Sequence, residues 1–292
     1  MLATFLIIAM IVLYTLQSLL TKKYVDHYPG REEMASSVFT IVSGAVVVIV
    51  SLCFTGFRFE AQPETLILGV INAAVIIAYN YFIVKTAQTG PYTVLMVFSI
   101  AGGIILPTLV SHFAFGEEMS PWKWVAVAIV LIAVYMMSYK SAGAVSWKPV
   151  FIPCCFGLAI ANGAYGTLLN IQQELTGEGE KEELIAITYL LAALVSFVFY
   201  LVKERGSVKG FKQTRASLIY LIVCSVVVAL AINVLVSIIP LINVTVLYTF
   251  DNAGTLLLSV ICSVLFFGEK ISKLNTVGCI VMCAALVVIT LV

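Results

Sequence analysis

Two stretches decide the fold: TVLMVFSIAGGIILPTLVSHFAFGEEMS at residues 93–120 and TVLYTFDNAGTLLLSVICSVLFFGEKIS at residues 245–272. They align without a gap at an offset of 152 residues. Thr93, Val94, Leu95, Phe98, Ala101 and Gly102 meet Thr245, Val246, Leu247, Phe250, Ala253 and Gly254. Further on, Phe115, Gly116, Glu117 and Ser120 meet Phe267, Gly268, Glu269 and Ser272. An apolar bias alone would scatter Leu and Val matches. It would not bring Gly, Glu, Ser and Thr into register, so the chain is an internal repeat.

Outside these stretches the composition points to lipid as the solvent. The 292 residues are 62% hydrophobic and 11% charged, against about 45–50% and about 25% in soluble domains. The mean hydropathy is +1.10. Crossing about 30 Å of hydrocarbon takes about 20 apolar residues per helix. Cutting at charges and prolines gives ten such runs: 2–20, 34–54, 66–87, 92–115, 122–139, 150–172, 184–202, 218–239, 245–267 and 274–292. Residues 1–20 lack the basic start and small-residue cleavage site of a signal peptide, so they are expected to be a retained first span. Pro63, Pro91, Pro121, Pro149 and Pro240 fall at run boundaries, where a missing donor does least harm. Pro107 falls deep in a run, where a kink is expected.

Each repeat holds five runs. Because five is odd, the second copy enters the membrane from the opposite side, as in the inverted repeats of many secondary transporters. The expected architecture is all-α and integral to the membrane, with ten transmembrane helices in two inverted five-helix repeats, 1–140 and 147–292. The connecting loops are too short for a separate soluble domain.

Gly116-Glu117 and Gly268-Glu269 follow the fourth helix of each half and are themselves followed by a polar turn and a last helix. With ten spans in two halves, this pattern resembles the EamA-type members of the drug/metabolite transporter superfamily across essentially the whole chain. The resemblance implies a central cavity between the halves and transport of a small metabolite or drug. Within the repeat itself the Gly-Glu pairs read as architecture: glycine ends one helix in the left-handed conformation, and glutamate starts the next.

Thirteen of the sixteen Lys and Arg residues lie in the connections after runs 1, 3, 5, 7 and 9. The positive-inside rule then places both termini outside the cytoplasm, whereas the resemblance implies both inside. A cell-membrane (plasma or inner) location is expected. The formal charge of +1 and the absence of a basic soluble face argue against nucleic-acid binding.

An ionisable group at a helix centre costs about 2.5–3.5 kcal/mol by insertion scales. Asp251 is the one acid well inside a run. It lies on a face with Tyr248, Thr255 and Ser259, with Asn252 beside it. The functional reading is a proton carrier or the counter-charge of a cationic substrate. The alternative is a carboxyl that only hydrogen-bonds its neighbours. Further polar stripes run through Gln17, through Asn72, Tyr79 and Asn80, through Asn162 and Tyr165, and through Asn233. Such amides and phenols suit a polar, zwitterionic or aromatic substrate, or bonding between helices at about 0.6 kcal/mol each. Tyr14, Tyr24, Tyr139 and the tryptophans read as interfacial anchors, and His112 as a packing residue.

The seven cysteines fall in apolar runs, an odd number without a disulfide or metal pattern. No cofactor or metal is expected, and no catalytic residue: HExxH, GxSxG and a second intramembrane aspartate are missing. The expected activity is therefore alternating-access transport of a small-molecule substrate, proton-coupled through Asp251, by a monomer or homodimer in the lipid bilayer. A non-transporting scaffold or sensor of the same fold is the second reading.

Overall fold

The computed structural model describes residues 2–56, 59–116, 119–139, 148–176, 180–206, 211, 213–238 and 244–291. Ten helices follow one another: α1 (Leu2–His27), α2 (Ala35–Phe54), α3 (Pro63–Thr89), α4 (Tyr92–Phe115), α5 (Pro121–Ser138), α6 (Phe151–Thr176), α7 (Lys181–Lys203), α8 (Arg215–Ile238), α9 (Val244–Phe267) and α10 (Lys273–Leu291). Among the described residues, nine are long and apolar enough to cross a membrane, and α10 adds a shorter apolar helix over Lys273–Val288. The fold is thus an all-helical, multi-span membrane protein. α4 is continuous through Pro107.

Local chemistry sets the helix ends. Pro63 and Pro121 occupy first turns, where proline's missing N–H costs nothing. Ser120 accepts from the Lys123 N–H at 3.3 Å to cap α5. Ser272 and Asn275 cap α10 reciprocally, at 3.0 and 3.2 Å. The same Asn275 amide donates to the Met137 carbonyl at 2.8 Å and so ties α10 to the end of α5. Gly116 and Gly268 stand at φ +70° and +62°, the left-handed stop expected of them.

Most helices run a few residues past the apolar runs, and the largest difference is at the end of α1. α1 passes Lys22 and Lys23 and ends at His27. Lys22 pairs with Asp26 one turn on, at 3.8 Å, and donates to the Ala87 carbonyl in the last turn of α3. A cation is favoured at such an end. Lys23 lies over the Phe267 ring, 5.0 Å from its centre.

The packing follows the repeat. Matching helix n with n + 5, α2 packs on α7 and α5 on α10, each its own counterpart. α1 on α8 mirrors α6 on α3, and α2 on α8 mirrors α7 on α3. The largest departure from the symmetry is that α4 lies against α6 more extensively than its counterpart α9 lies against α1. The reason is in the glycines. A Cβ on Gly102 would sit 2.0 Å from the Ala159 carbonyl oxygen, backbone against backbone. A Cβ on its repeat counterpart Gly254 would meet the Ile11 side chain, nearest at 2.5 Å, and no backbone among the three nearest atoms.

At the end of the bundle where α3 and α7 begin, the halves are joined by Glu180. Its carboxylate accepts from the Thr65 hydroxyl at 2.7 Å and the Gln62 N–H at 2.9 Å, holding the start of α3 from the other half. The Thr65 hydroxyl and then the Gln62 N–H hold the Glu180 carboxyl below the usual carboxylate range.

Two outcomes are expected from melting curves of purified protein. Gly102→Ala destabilises by about 1–3 kcal/mol through overpacking, despite its better helix propensity, whereas Gly254→Ala costs less because Ile11 can turn aside. A lowered folded pKa contributes stability above the unfolded value of about 4.3 and loses it as pH falls through the folded value. Glu180→Gln therefore lowers Tm at neutral pH, and the gap to wild type closes in acid.

Candidate functional site

Midway along the bundle α1, α3, α4, α6, α7, α8 and α9 surround a cavity of about 130 Å³, smaller than the roughly 300–1,000 Å³ of an open small-molecule site. Its polar lining is Tyr14, Gln17 and Ser18 of α1, Tyr79 of α3, Ser99 of α4, Asn162 and Tyr165 of α6, Tyr189 of α7, and Asp251, Asn252 and Thr255 of α9. Ile76, Ile83, Met96, Ile100, Leu169, Ile232 and Leu235 supply apolar wall.

Asp251 is 9% exposed. It accepts from the Thr255 hydroxyl at 3.2 Å, one turn along the same face. Among the described residues the lining includes no Lys, Arg or His, and Asp251 is its one carboxyl. Around it Tyr79 stands beside Ser99 and Tyr165 beside Tyr189. The Gln17 Oε1 is buried with no partner among the described residues. Asn162 spends its amide on the Ser99 carbonyl at 2.8 Å, which holds α6 against α4 beside Gly103.

Of the residues expected at a site, Asp251, Asn252, Thr255, Tyr79, Gln17, Asn162 and Tyr165 share this cavity. The Tyr248 side chain lies outside the described residues, as does Glu117. Asn72, Asn80 and Asn233 are buried but do not line the cavity. On α3 the cavity face runs Ile76, Tyr79, Ile83. Asn72 continues it a turn further out, and Asn80 is about 100° round from Tyr79. Asn233 donates into its own helix, to the Ala229 carbonyl at 2.8 Å.

Two expectations about tyrosines are corrected. Tyr14 is no interfacial anchor: with α1 reaching His27 it falls mid-helix and lines the cavity. Tyr24 is fully buried and donates to the Ala35 carbonyl at 3.0 Å. Tyr139, Trp122 and Trp124 remain exposed, as anchors are. Tyr189 was missed, although a tyrosine in the middle of an apolar run is the same signal that marked Tyr79 and Tyr165.

Toward the end of the bundle where most basic residues lie, the cavity is closed. The Tyr92 hydroxyl bonds Ser18 Oγ at 2.6 Å and donates to Ser259 Oγ at 3.5 Å, joining α4, α1 and α9. The Tyr92 ring packs on Phe267 at 5.1 Å. Behind this plug Glu269 takes a place the sequence reading did not foresee. Instead of starting α10, its carboxylate crosses to the other half and caps α4. It accepts from the Tyr92 N–H, from the Thr93 N–H at 3.0 Å and from the Thr93 hydroxyl at 2.6 Å.

Comparison with known proteins agrees with this architecture. No curated protein matches the sequence. A solved crystal structure of a protein superposes with a TM-score of 0.66 at 14% identity, covering 99% of this chain and 96% of that chain. That likeness extends the shared fold over both halves. The model of the EamA-like transporter family matches residues 152–291. The resemblance read from the repeat is therefore met over the second half of the chain, which matches the EamA-like transporter family.

Proposed function

We propose that this protein is a secondary transporter of a small amine-bearing metabolite or drug in the cell membrane. Asp251 meets either the substrate's ammonium or a proton. The observation that supports this reading is a single carboxyl in a cavity otherwise lined by tyrosines, amides, hydroxyls and apolar side chains. A cation over a tyrosine face gains about 0.5–2 kcal/mol, and Tyr14, Tyr79, Tyr165 and Tyr189 offer several faces. An ammonium and a proton compete for one carboxylate, so each displaces the other, which is the elementary step of exchange. Alternating access then requires the plug at Tyr92 and the Glu269 cap to open. The inverted repeat supplies the reciprocal conformation.

The first test is the melting temperature of purified protein against amino acids, amines, nucleosides and sugars at about pH 6 and about pH 8. A ligand at 100 times its Kd adds about 2.7 kcal/mol. An amine is expected to stabilise wild type, more at the higher pH, and to lose at least ten-fold in affinity in Asp251→Asn. A ligand indifferent to both pH and the substitution would remove Asp251 from the mechanism.

The second test addresses closure. Glu269→Ala strips the α4 N-terminus of charge-assisted acceptors, each unmade bond costing about 1–3 kcal/mol. Hydrogen exchange over residues 92–96 is expected to accelerate about ten-fold or more. Unchanged exchange there would show that Glu269 does not hold this end shut.

A further inference from the structure

A second groove, separate from the cavity, opens between α2, α3 and α7 at the basic end of the bundle. Its deep part is apolar: Ile77, Ala78, Tyr81 and Phe82 of α3 face Val195 and Phe199 of α7. Tyr81, Val195 and Phe199 are exposed, so on these spans they face lipid. At the mouth stand Lys85 and Lys203, with Ser36 and Ser37 at the start of α2.

Two features specify an occupant. The first is length. On α3 the lining runs from Ala74 to Gln88, about 21 Å at 1.5 Å per residue, and the part below the Lys85 charge covers about 16 Å, half of a bilayer's hydrocarbon of about 30 Å. The groove is one leaflet deep, with charge at one end. The second is charge. Glu32 and Glu33 also line the mouth, but each has a basic partner: Lys148 at 3.5 Å and Arg31 at 3.6 Å. Among the described residues no carboxylate lies within ion-pair distance of Lys85 or Lys203, and Lys203 rests only over the Phe199 ring, at 5.7 Å. The mouth therefore offers two uncompensated cations above an apolar trough.

We infer that this groove is a binding site for an anionic glycerophospholipid, with the phosphate between Lys85 and Lys203 and one acyl chain lying along Phe199, Tyr81 and Ile77. A headgroup without an amine of its own leaves the phosphate charge whole for the lysines, so an anionic lipid is preferred over a choline lipid. The site needs no assumption about what the central cavity carries.

Native mass spectrometry of the full chain, released from detergent with either phosphatidylglycerol or phosphatidylcholine of identical acyl chains, tests the inference. Wild type is expected to retain phosphatidylglycerol about 25-fold more tightly. The double substitution Lys85→Gln/Lys203→Gln is expected to remove that preference, since each basic residue near the surface accounts for roughly a five-fold factor. Lys270→Gln/Lys273→Gln, at the same end but outside the groove, leaves it intact. Ala78→Leu fills the trough without touching charge and is expected to weaken phosphatidylglycerol as well. Equal binding of the two lipids by wild type overturns the site. So does equal loss in both lysine pairs, which would mean general adsorption. Retention in Ala78→Leu overturns the placement of the chain in the groove.

Discussion

A helix that ends inside a membrane protein must find acceptors for its first N–H groups within the protein, because hydrocarbon offers none. The structure meets this constraint with a carboxylate lent across the repeat. Glu269 serves α4 in this way at one end of the bundle, and at the other, water-exposed end Glu180 holds the residue that precedes α3 and the Thr65 hydroxyl in its first turn. Both belong to the second half and both bind the first. The halves are thereby joined at their rims by directional bonds, while apolar packing holds the middle. The polar cavity can sit between them without the bundle closing over it, and the plug of Tyr92 against Ser18 and Ser259 lies directly over the Glu269 cap.

Packing in the middle is uneven, and the unevenness comes from single residues. α4 and α6 touch backbone to backbone at Gly102, Ala159 and Gly163, where hydrocarbon-embedded helices gain most from close approach. The counterpart contact between α9 and α1 goes through the Ile11 side chain. Asp251 falls on the looser helix, and the stretch of α4 that matches it carries Ser99 and Gly103 in its place. The repeat supplies a symmetric scaffold, and a few substitutions in one copy make it a site.

Much of this was legible in the sequence. The gapless register of two 28-residue stretches gave the architecture, because Gly, Glu, Ser and Thr do not align by apolar bias. Asp251 and Thr255 could be placed on one face because helical spacing fixes which residues share a side. What spacing does not fix is which neighbour that side meets. Asn162 lines the cavity yet spends its amide on α4, and Asn233 turns into its own helix. Asn72 and Asn80 lie beyond or beside the wall. Tyr14 was misjudged through one boundary: lysines at 22 and 23 look like the end of a span, yet ion pairing with Asp26 and the carbonyl end of α3 carry the helix on. The reach of Glu269 joins residues 176 positions apart, and no local pattern announces it.

The glycine contact also has a mechanical meaning. Two helices locked backbone to backbone slide as one body. A pair separated by a branched aliphatic side chain can shear, since that side chain has other rotamers to adopt. The seam between α4 and α6 is therefore the stiffer of the two, and the seam between α1 and α9 the more compliant. Any rearrangement that opens the Tyr92 plug would run through the compliant side, with α9 and its carboxyl moving against a fixed wall formed by the other two.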